Sequence, residues 1–342
     1  MDAVSADTVV LALNSGSSSL KYGLYRVDDA PVLLVGGTIE TTDDHGRFFD
    51  AIETALRGWP APTAIGHRIV HGGPHRDAHC RIDEAVMADL EAACAFAPLH
   101  GPASLALVRA AGARYPGLVQ VACFDTAFHA GMPDIARTLP IPGAYREGGV
   151  RRYGFHGLSC ESIVRRLGDA MPARLVIAHL GNGASVTAVR DGRSIDTSMG
   201  LTPSGGVMMA TRTGDIDPGV LLYLLRERGQ DIDTLSTMVD HRSGMAGVSG
   251  LSGDMRILRG ASTGDAALAV RMFERSVCKQ IAAMIASLQG AAMVVLTGGI
   301  GENDVLTGRA VRQGLAWIPG LDIRTVGSQE DAQIAHHTAA LA

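Results

Sequence analysis

The chain has 342 residues, 46% of them hydrophobic and 19% charged, with 30 Lys and Arg against 35 Asp and Glu. At roughly 150 residues per domain this is material for two cores, and it excludes disordered and fibrous architectures. A net charge of −5 with no basic block, and only 4% aromatic residues, argue against a nucleic-acid partner held by charge or base stacking.

From the start of the chain, MDAVSADTVVLAL carries acids where an export signal carries bases, so no export is expected. Strand-like runs follow at Thr8–Leu13, Leu20–Val27, Val32–Ile39, Ala64–Val70, Leu118–Phe124, Leu175–His179, Ser185–Arg190 and Ala292–Thr297. Helical patterns lie between them, over Asp83–Phe96 and from Pro102 to Ala113. A third begins at Asp217-Pro218, an N-cap with proline at the first helical position, and closes at Gly229. The longest helix runs from about Asp265 to Gln289, with Val277, Ile281, Met284, Ile285 and Leu288 at helical spacing, and stops at Gly290. The longest uncharged stretch, Gln280 to Gly301, is broken by Gln289-Gly290 and Thr297-Gly298-Gly299. It therefore reads as a helix end, a turn and a buried strand rather than a membrane span. Five scattered cysteines without a CxxC pair fit a reduced, cytoplasmic protein. Strands and helices in mixed order indicate an α/β protein.

A weak echo joins two segments. VVLALNSGSSSLKYGLYRV and RLVIAHLGNGASVTAVRDGR each read as strand, tight turn and strand; superposing Leu20 on Val186 also superposes Ser19 on Ser185. Such hairpins are common, but the echo suggests two halves, with the break near Phe128–Pro133.

The 42 glycines cluster in short turns. No GxxxxGK[ST] is present, nor a GxGxxG opening a helix after a strand. Three other glycine-rich turns follow strands: Asn14 to Ser19, with Lys21 just beyond; Gly181-Asn182-Gly183; and Gly298 to Asn303. Singly each reads as an ordinary turn, but three on one chain offer backbone N–H groups suited to anions. A polar set sits at strand ends and beside Gly or Pro: Arg68, His100, Asp125, His156, His179 and Arg212. Taken one at a time, Arg68 or Arg212 reads more often as a structural ion-pair partner, and a lone histidine as a satisfied core or surface residue. None of the histidines has HxH or HExxH spacing.

In order along the chain stand NSGSSSLKY, GHRIVHGG, APLHGP, FDTAFH, RRYGFHG, HLGNGASVTAV, SMGLTP, TRTGDIDP, SGMAGVSGLSGD and GGIGEN. Together, from about Val9 to His337, they resemble the acetate kinase family, carboxylate kinases that make acyl phosphates. The resemblance implies the two-domain acetate and sugar kinase/Hsp70/actin-like fold, with duplicated β-sheet cores and a central nucleotide cleft. The domains would span 1–128 and 129–328, a C-terminal helix over 329–342 completing the first. It further implies ATP/ADP as co-substrate, Mg2+ or Mn2+ as cofactor, and a homodimer.

Residue by residue, the resemblance places Asn14, Ser17, Ser19 and Lys21 in a first phosphate-facing loop, with Asn14 beside the metal. Gly181, Asn182 and Gly183 form a second such loop, beside His179. Asp254, Met255 and Arg256, with Gly299, Ile300, Gly301, Glu302 and Asn303, lie around the nucleotide. Arg68 would hold the substrate carboxylate, near His100, and Val70, Leu99, Phe155 and Pro203 would meet its apolar tail. His156 and Arg212 would contact the transferring phosphoryl group, and Asp125 would orient a cation or metal-bound water. Glu330 matches the family's C-terminal magnesium-associated glutamate. It reads alternatively as a first-turn helix acid, since Ser328 with Asp331 forms a capping-box pattern.

The chemistry suits these residue types. A small carboxylic acid is already ionised at pH 7, so no general base is needed. The difficulty is bringing an anion to a phosphoryl group and stabilising its equatorial oxygens, which is work for arginine and magnesium. In-line transfer from ATP without a phosphoenzyme is therefore expected. Acetate is the expected acceptor; propionate, or a catalytically silent ATP-binding regulator, are the alternatives. The chain departs from the family at Cys160, where many members carry a second histidine, at Met255, which replaces an aromatic, at Ser204-Gly205-Gly206 and at Ala210. It is also shorter than typical members. These changes bear on nucleotide fit, while every proposed charge-bearing residue is present.

Overall fold

The computed structural model describes residues 8–16, 19–40, 45–97 and 101–342. They gather into two compact units, Met1–Ala130 with Gly157–Ser162 and Gln329–Ala342, and Gly131–His156 with Ile163–Ser328.

The first unit is built on strands β1 (Thr8–Ser15), β2 (Ser19–Val27), β3 (Pro31–Glu40), β4 (Ala64–Ile69), β5 (Cys80–Arg81) and β6 (Val119–Phe124), in the spatial order β3-β2-β1-β4-β6-β5. β1 pairs antiparallel with β2 and parallel with β4, and β4 pairs parallel with β6. The uninterrupted apolar run of β1 is what a strand covered on both faces needs. Its side chains alternate. Val9, Leu11 and Leu13 pack with Phe48, Phe49, Ile52 and Leu107, whereas Val10 and Ala12 pack with Val121, Cys123, Ile334 and Ala335. The second face is thus closed by the C-terminal helix, Glu330–Leu341. That helix lies hard against β4: a Cβ on Gly66 would stand 2.1 Å from the Thr338 hydroxyl and 2.6 Å from an Ile334 methyl.

The second unit carries β7 (Arg174–Leu180), β8 (Ala184–Arg190), β9 (Arg193–Thr197), β10 (Met293–Thr297) and β11 (Asp322–Thr325), ordered β11-β10-β7-β8-β9. β7, β8 and β9 form an antiparallel meander, and β10 and β11 extend it in parallel. The long helix Gly264–Leu288 buries Phe273, Val277, Ile281, Met284 and Leu288, is capped by the Thr263 hydroxyl on the Ala266 N–H, and ends at Gln289 in the left-handed region (φ 56°).

The predicted strands are all present, and the Asp217 N-cap is observed. Three strands lacked a sequence signal: β5 has two residues, β9 reads as polar, and β11 is short. The glycine-rich stretch from Gly298, read as a turn, is instead the short helix Gly298–Asn303. The hairpin echo is real in pairing. However, the last pair before the turn is Ser15 with Leu20 in one hairpin and Leu180 with Ala184 in the other, so the two turns differ in length. A gapless superposition therefore fails across the turn. No helix among the described residues is long and apolar enough to cross a membrane.

Candidate active site

In the first unit the ends of β1, β4 and β6 deliver Asn14, Arg68 and Asp125, and the C-terminal helix delivers Glu330 and Asp331. Arg68 donates from Nε (3.0 Å) and Nη2 (2.6 Å) to the same Asp125 oxygen, Oδ2, and from Nη1 to Asn14 Oδ1 at 3.3 Å. The Asn14 amide then donates to Glu330 Oε2 at 3.2 Å and to Asp331 Oδ1 at 2.7 Å. Asp125 is 1% exposed, and its Oδ1 is buried with no hydrogen-bond partner. Burial works against the Arg68 charge, yet Asp125, Glu330 and Asp331 outweigh it and hold the guanidinium above its ordinary range. Burial also pushes the Asp125 and Asp331 carboxyls up, opposed by Arg68 at the first and by Asn14 at the second.

This set offers an orphaned carboxylate oxygen on Asp125, two further carboxylates and an amide oxygen, linked through Arg68 and Asn14. All are hard donors, fitting a magnesium-like ion that keeps waters and phosphate oxygens in its shell. The capping box read at Ser328 and Asp331 is not formed. Ser328 donates its N–H to Glu302, and the Asp331 carboxylate is taken by Asn14. Asp331 was therefore missed as a site residue, because its partner is 317 positions away in sequence.

In the second unit His156 adopts φ 58°, a left-handed conformation uncommon for a non-glycine residue. Its Nδ1 lies 2.9 Å from the Ser185 hydroxyl, and its ring stacks on His179 with centroids 4.2 Å apart. The Gly181–Gly183 turn lies against these rings: a Cβ on Gly183 would stand 3.3 Å from His156 Nε2 and 3.5 Å from Arg212 Nη1. Only glycine leaves that space open for a ligand. Arg212 donates to the Pro203 carbonyl at 3.2 Å, which brings Pro203 beside the proposed phosphoryl residues. Ser185, the support of His156, was read only as part of the hairpin echo.

The remaining predicted residues are dispersed over their units. Asp254 caps the helix Met255–Gly260 and pairs with the exposed Arg256 at 2.6 Å, which draws its carboxyl down to about 2. The Met255 side chain is buried. Gly299 faces open space, whereas Glu302 Oε1 accepts from the Gly298 N–H (2.9 Å) and the Thr297 hydroxyl (3.1 Å), holding the start of its own helix. Ser19 begins β2, and Lys21 sits opposite Asn14 in the hairpin. Val70 lines a cavity of about 10 Å³ with Ile69, His71, Leu90, Ser104 and Leu105. Phe155 is buried in the second unit. Ser17, Leu99 and His100 lie outside the described residues.

The model of the acetokinase family matches residues 60–335, most of the chain, leaving out β1, β2 and β3 and ending within the C-terminal helix. The chain belongs to the acetokinase family. It is 37% identical to the acetate kinase of Parabacteroides distasonis, across 90% of this chain and 87% of that protein. It is 40% identical to a propionate kinase of Yersinia enterocolitica, across 92% and 84%. The crystal structure of Porphyromonas gingivalis acetate kinase superposes with a TM-score of 0.85 at 31% identity, over 98% of this chain and 99% of that one. The fold is accordingly that of the acetate and sugar kinase/Hsp70/actin group, and the chain is a kinase of this family.

Proposed function

We propose that the protein transfers the γ-phosphoryl group of ATP to acetate, reversibly, giving acetyl phosphate and ADP. The observation that carries this reading is the state of Arg68. Its Nε, Nη1 and Nη2 are each fixed by one hydrogen bond to Asp125 or Asn14, and its side chain is 16% exposed. A guanidinium has five N–H donors, so two remain for a substrate carboxylate in the parallel two-bond geometry. Asp125 orients that guanidinium rather than accepting a proton, and none need be accepted from an acid already ionised at neutral pH.

His156 and Arg212 would donate to the equatorial phosphoryl oxygens, and His179 would hold the His156 ring by stacking. A magnesium ion, held by Asp125, Glu330 and Asn14, would offset phosphate charge. Ser17, Ser19, Lys21, the Gly181–Gly183 turn, Asp254 to Arg256 and the Gly299–Asn303 helix would face the nucleotide. Direct attack without a phosphoenzyme follows, because the acid itself is the nucleophile. A homodimer is supported by the helix Pro218–Glu227, six of whose residues are large and apolar and none of which is buried. Its place of work would be the cytoplasm.

Val70, Leu99, Phe155 and Pro203 would bound the methyl group. Propionate is the second reading, supported by the propionate kinase relative, since one methylene changes pocket affinity by only ~1–3 kcal/mol. The test is hydroxamate formation from Mg-ATP and hydroxylamine with acetate, propionate or butyrate. Acetate foremost supports the first reading, and propionate foremost the second. A folded protein that binds ATP and yields no hydroxamate with any acid would be a silent nucleotide binder.

A further inference from the structure

His79, Glu161 and His337 converge in the first unit, their ligand atoms within 4.8 Å of one another. His337 Nε2 lies 2.6 Å from Glu161 Oε2 and His79 Nε2 lies 3.7 Å from the same oxygen. Gln333 donates its amide to that oxygen at 3.3 Å. Two histidines and a carboxylate could suggest a transition-metal site, but the tautomer of His79 opposes it. Its Nδ1 accepts the Phe124 backbone N–H at 3.0 Å, so in the neutral ring the proton sits on Nε2, the nitrogen a metal would need. Metal-ligating histidines donate their second nitrogen rather than accept on it. Both rings instead present Nε2 to one carboxylate, and their attraction draws Glu161 down to about 2 despite its burial.

The position of this cluster matters more than its charge. Phe124, held by His79, is the residue before Asp125. His337 stands on the helix that begins at Glu330, seven positions on, which is two turns and roughly 10 Å along the same face. The segment carrying Glu161 grips both neighbours a second time. The Ser162 hydroxyl accepts the Gln329 N–H at 3.0 Å, and the Gly157 N–H donates to the Asp125 carbonyl at 2.8 Å. We propose that His79, Glu161 and His337 are positioning residues that set Glu330 and Asp331 against Asp125, and thereby tune divalent-metal affinity. This rests on the reading of Glu330 as a metal-associated residue.

The test reads metal affinity rather than turnover alone. Free Mn2+ is titrated by its EPR signal with saturating ADP for the wild type, Glu330→Gln, Glu161→Gln, Glu161→Asp, His337→Gln and the Glu161→Gln/Glu330→Gln double variant. Amide exchange over residues 330–337 is followed in parallel. Glu161→Gln and His337→Gln should each weaken Mn2+ binding by about tenfold, the scale of a lost outer-shell partner, and speed exchange at the helix start. Glu161→Asp should restore part of the affinity, and the double variant should bind no worse than Glu330→Gln alone. If Glu330→Gln weakens Mn2+ binding while Glu161→Gln and His337→Gln only lower thermal stability, the positioning role is wrong and the Glu330 reading stands. If Glu330→Gln has no effect, both fall. Stoichiometric Zn2+ retained by the wild type and lost in Glu161→Gln would replace the clamp by a metal site.

Discussion

Both sheets carry an antiparallel meander of three strands extended by two parallel strands, to which the first adds the short antiparallel β5, but they dress their strand ends differently. In the first unit the ends of β1, β4 and β6 carry long or charged side chains joined in one hydrogen-bonded chain, from Asp125 through Arg68 and Asn14 to Glu330 and Asp331. In the second, the hairpin β7–β8 closes on Gly181 and Gly183, and the polar groups beside it are two stacked histidines and Arg212. Under the proposed function one scaffold would thus serve two kinds of recognition. A planar carboxylate is best met by a fixed guanidinium, whereas phosphate oxygens are met by backbone N–H groups and cations that need room. The difference also separates the costs of mutation: the first site is bound up with stability, the second with access.

Arg212→Ala should show the largest effect. Under the proposed mechanism kcat falls by ~10³ or more, the scale of a lost transition-state arginine, while the acetate KM changes little. An equal loss through acetate KM alone would move Arg212 from the phosphoryl group to the carboxylate, and the assignment of the two sites would be reversed.

Asp125→Asn tests the interdependence of the first site. It leaves Arg68 charged, largely buried and without its directly bonded anion, so the urea midpoint should fall by the equivalent of about 3 kcal/mol along with activity. Loss of activity at unchanged stability would mean that Asp125 is not bound into the cluster as the distances indicate. Gly183→Ala should do the reverse. Its new methyl would meet His156 Nε2 at 3.3 Å and Arg212 Nη1 at 3.5 Å, in the space that the proposed mechanism gives to the phosphoryl group. Roughly a hundredfold loss of kcat with nearly unchanged stability is expected, because small displacements of reacting groups are costly.

Much of this was legible in sequence, and for physical reasons. β1 and β10 announce themselves by continuous apolar runs, and the long helix by the spacing of Val277, Ile281 and Leu288. Arg68, Asp125, His156 and Arg212 stand out because each sits at a strand end or in a loop beside glycine. What escaped is whatever depends on pairing across the chain. β11 and β5 are strands only because β10 and β6 offer them hydrogen bonds. Asp331 joins the candidate site only when Asn14 reaches it, and the Gly298 stretch reads as a turn until Glu302 is seen accepting the Gly298 N–H. Glu161, His79 and His337 have no shared motif at all; the fold alone assembles them.

The smallest effect concerns acid, and it too belongs to the first unit. His67, one residue before Arg68, is 1% exposed with its Nε2 2.7 Å from the Gln120 amide oxygen. Burial lowers its pKa from 6.5 to about 4, the hydrogen bond offsetting only part of the cost of charging it. A folded-state pKa below the unfolded one means that the unfolded chain binds the proton first. The stability from a neutral His67 is therefore present above pH 6.5 and is lost as pH falls toward 4. Between pH 7 and 5.5 the loss should be about 1 kcal/mol, absent in His67→Gln, whose side chain can still meet Gln120. Urea titrations of both proteins at the two pH values separate the outcomes. Parallel shifts would show that His67 takes up no proton on unfolding. The acid sensitivity of this unit would then have to come from its carboxylates, at lower pH, with Glu161 first among them because its folded-state value is drawn down to about 2.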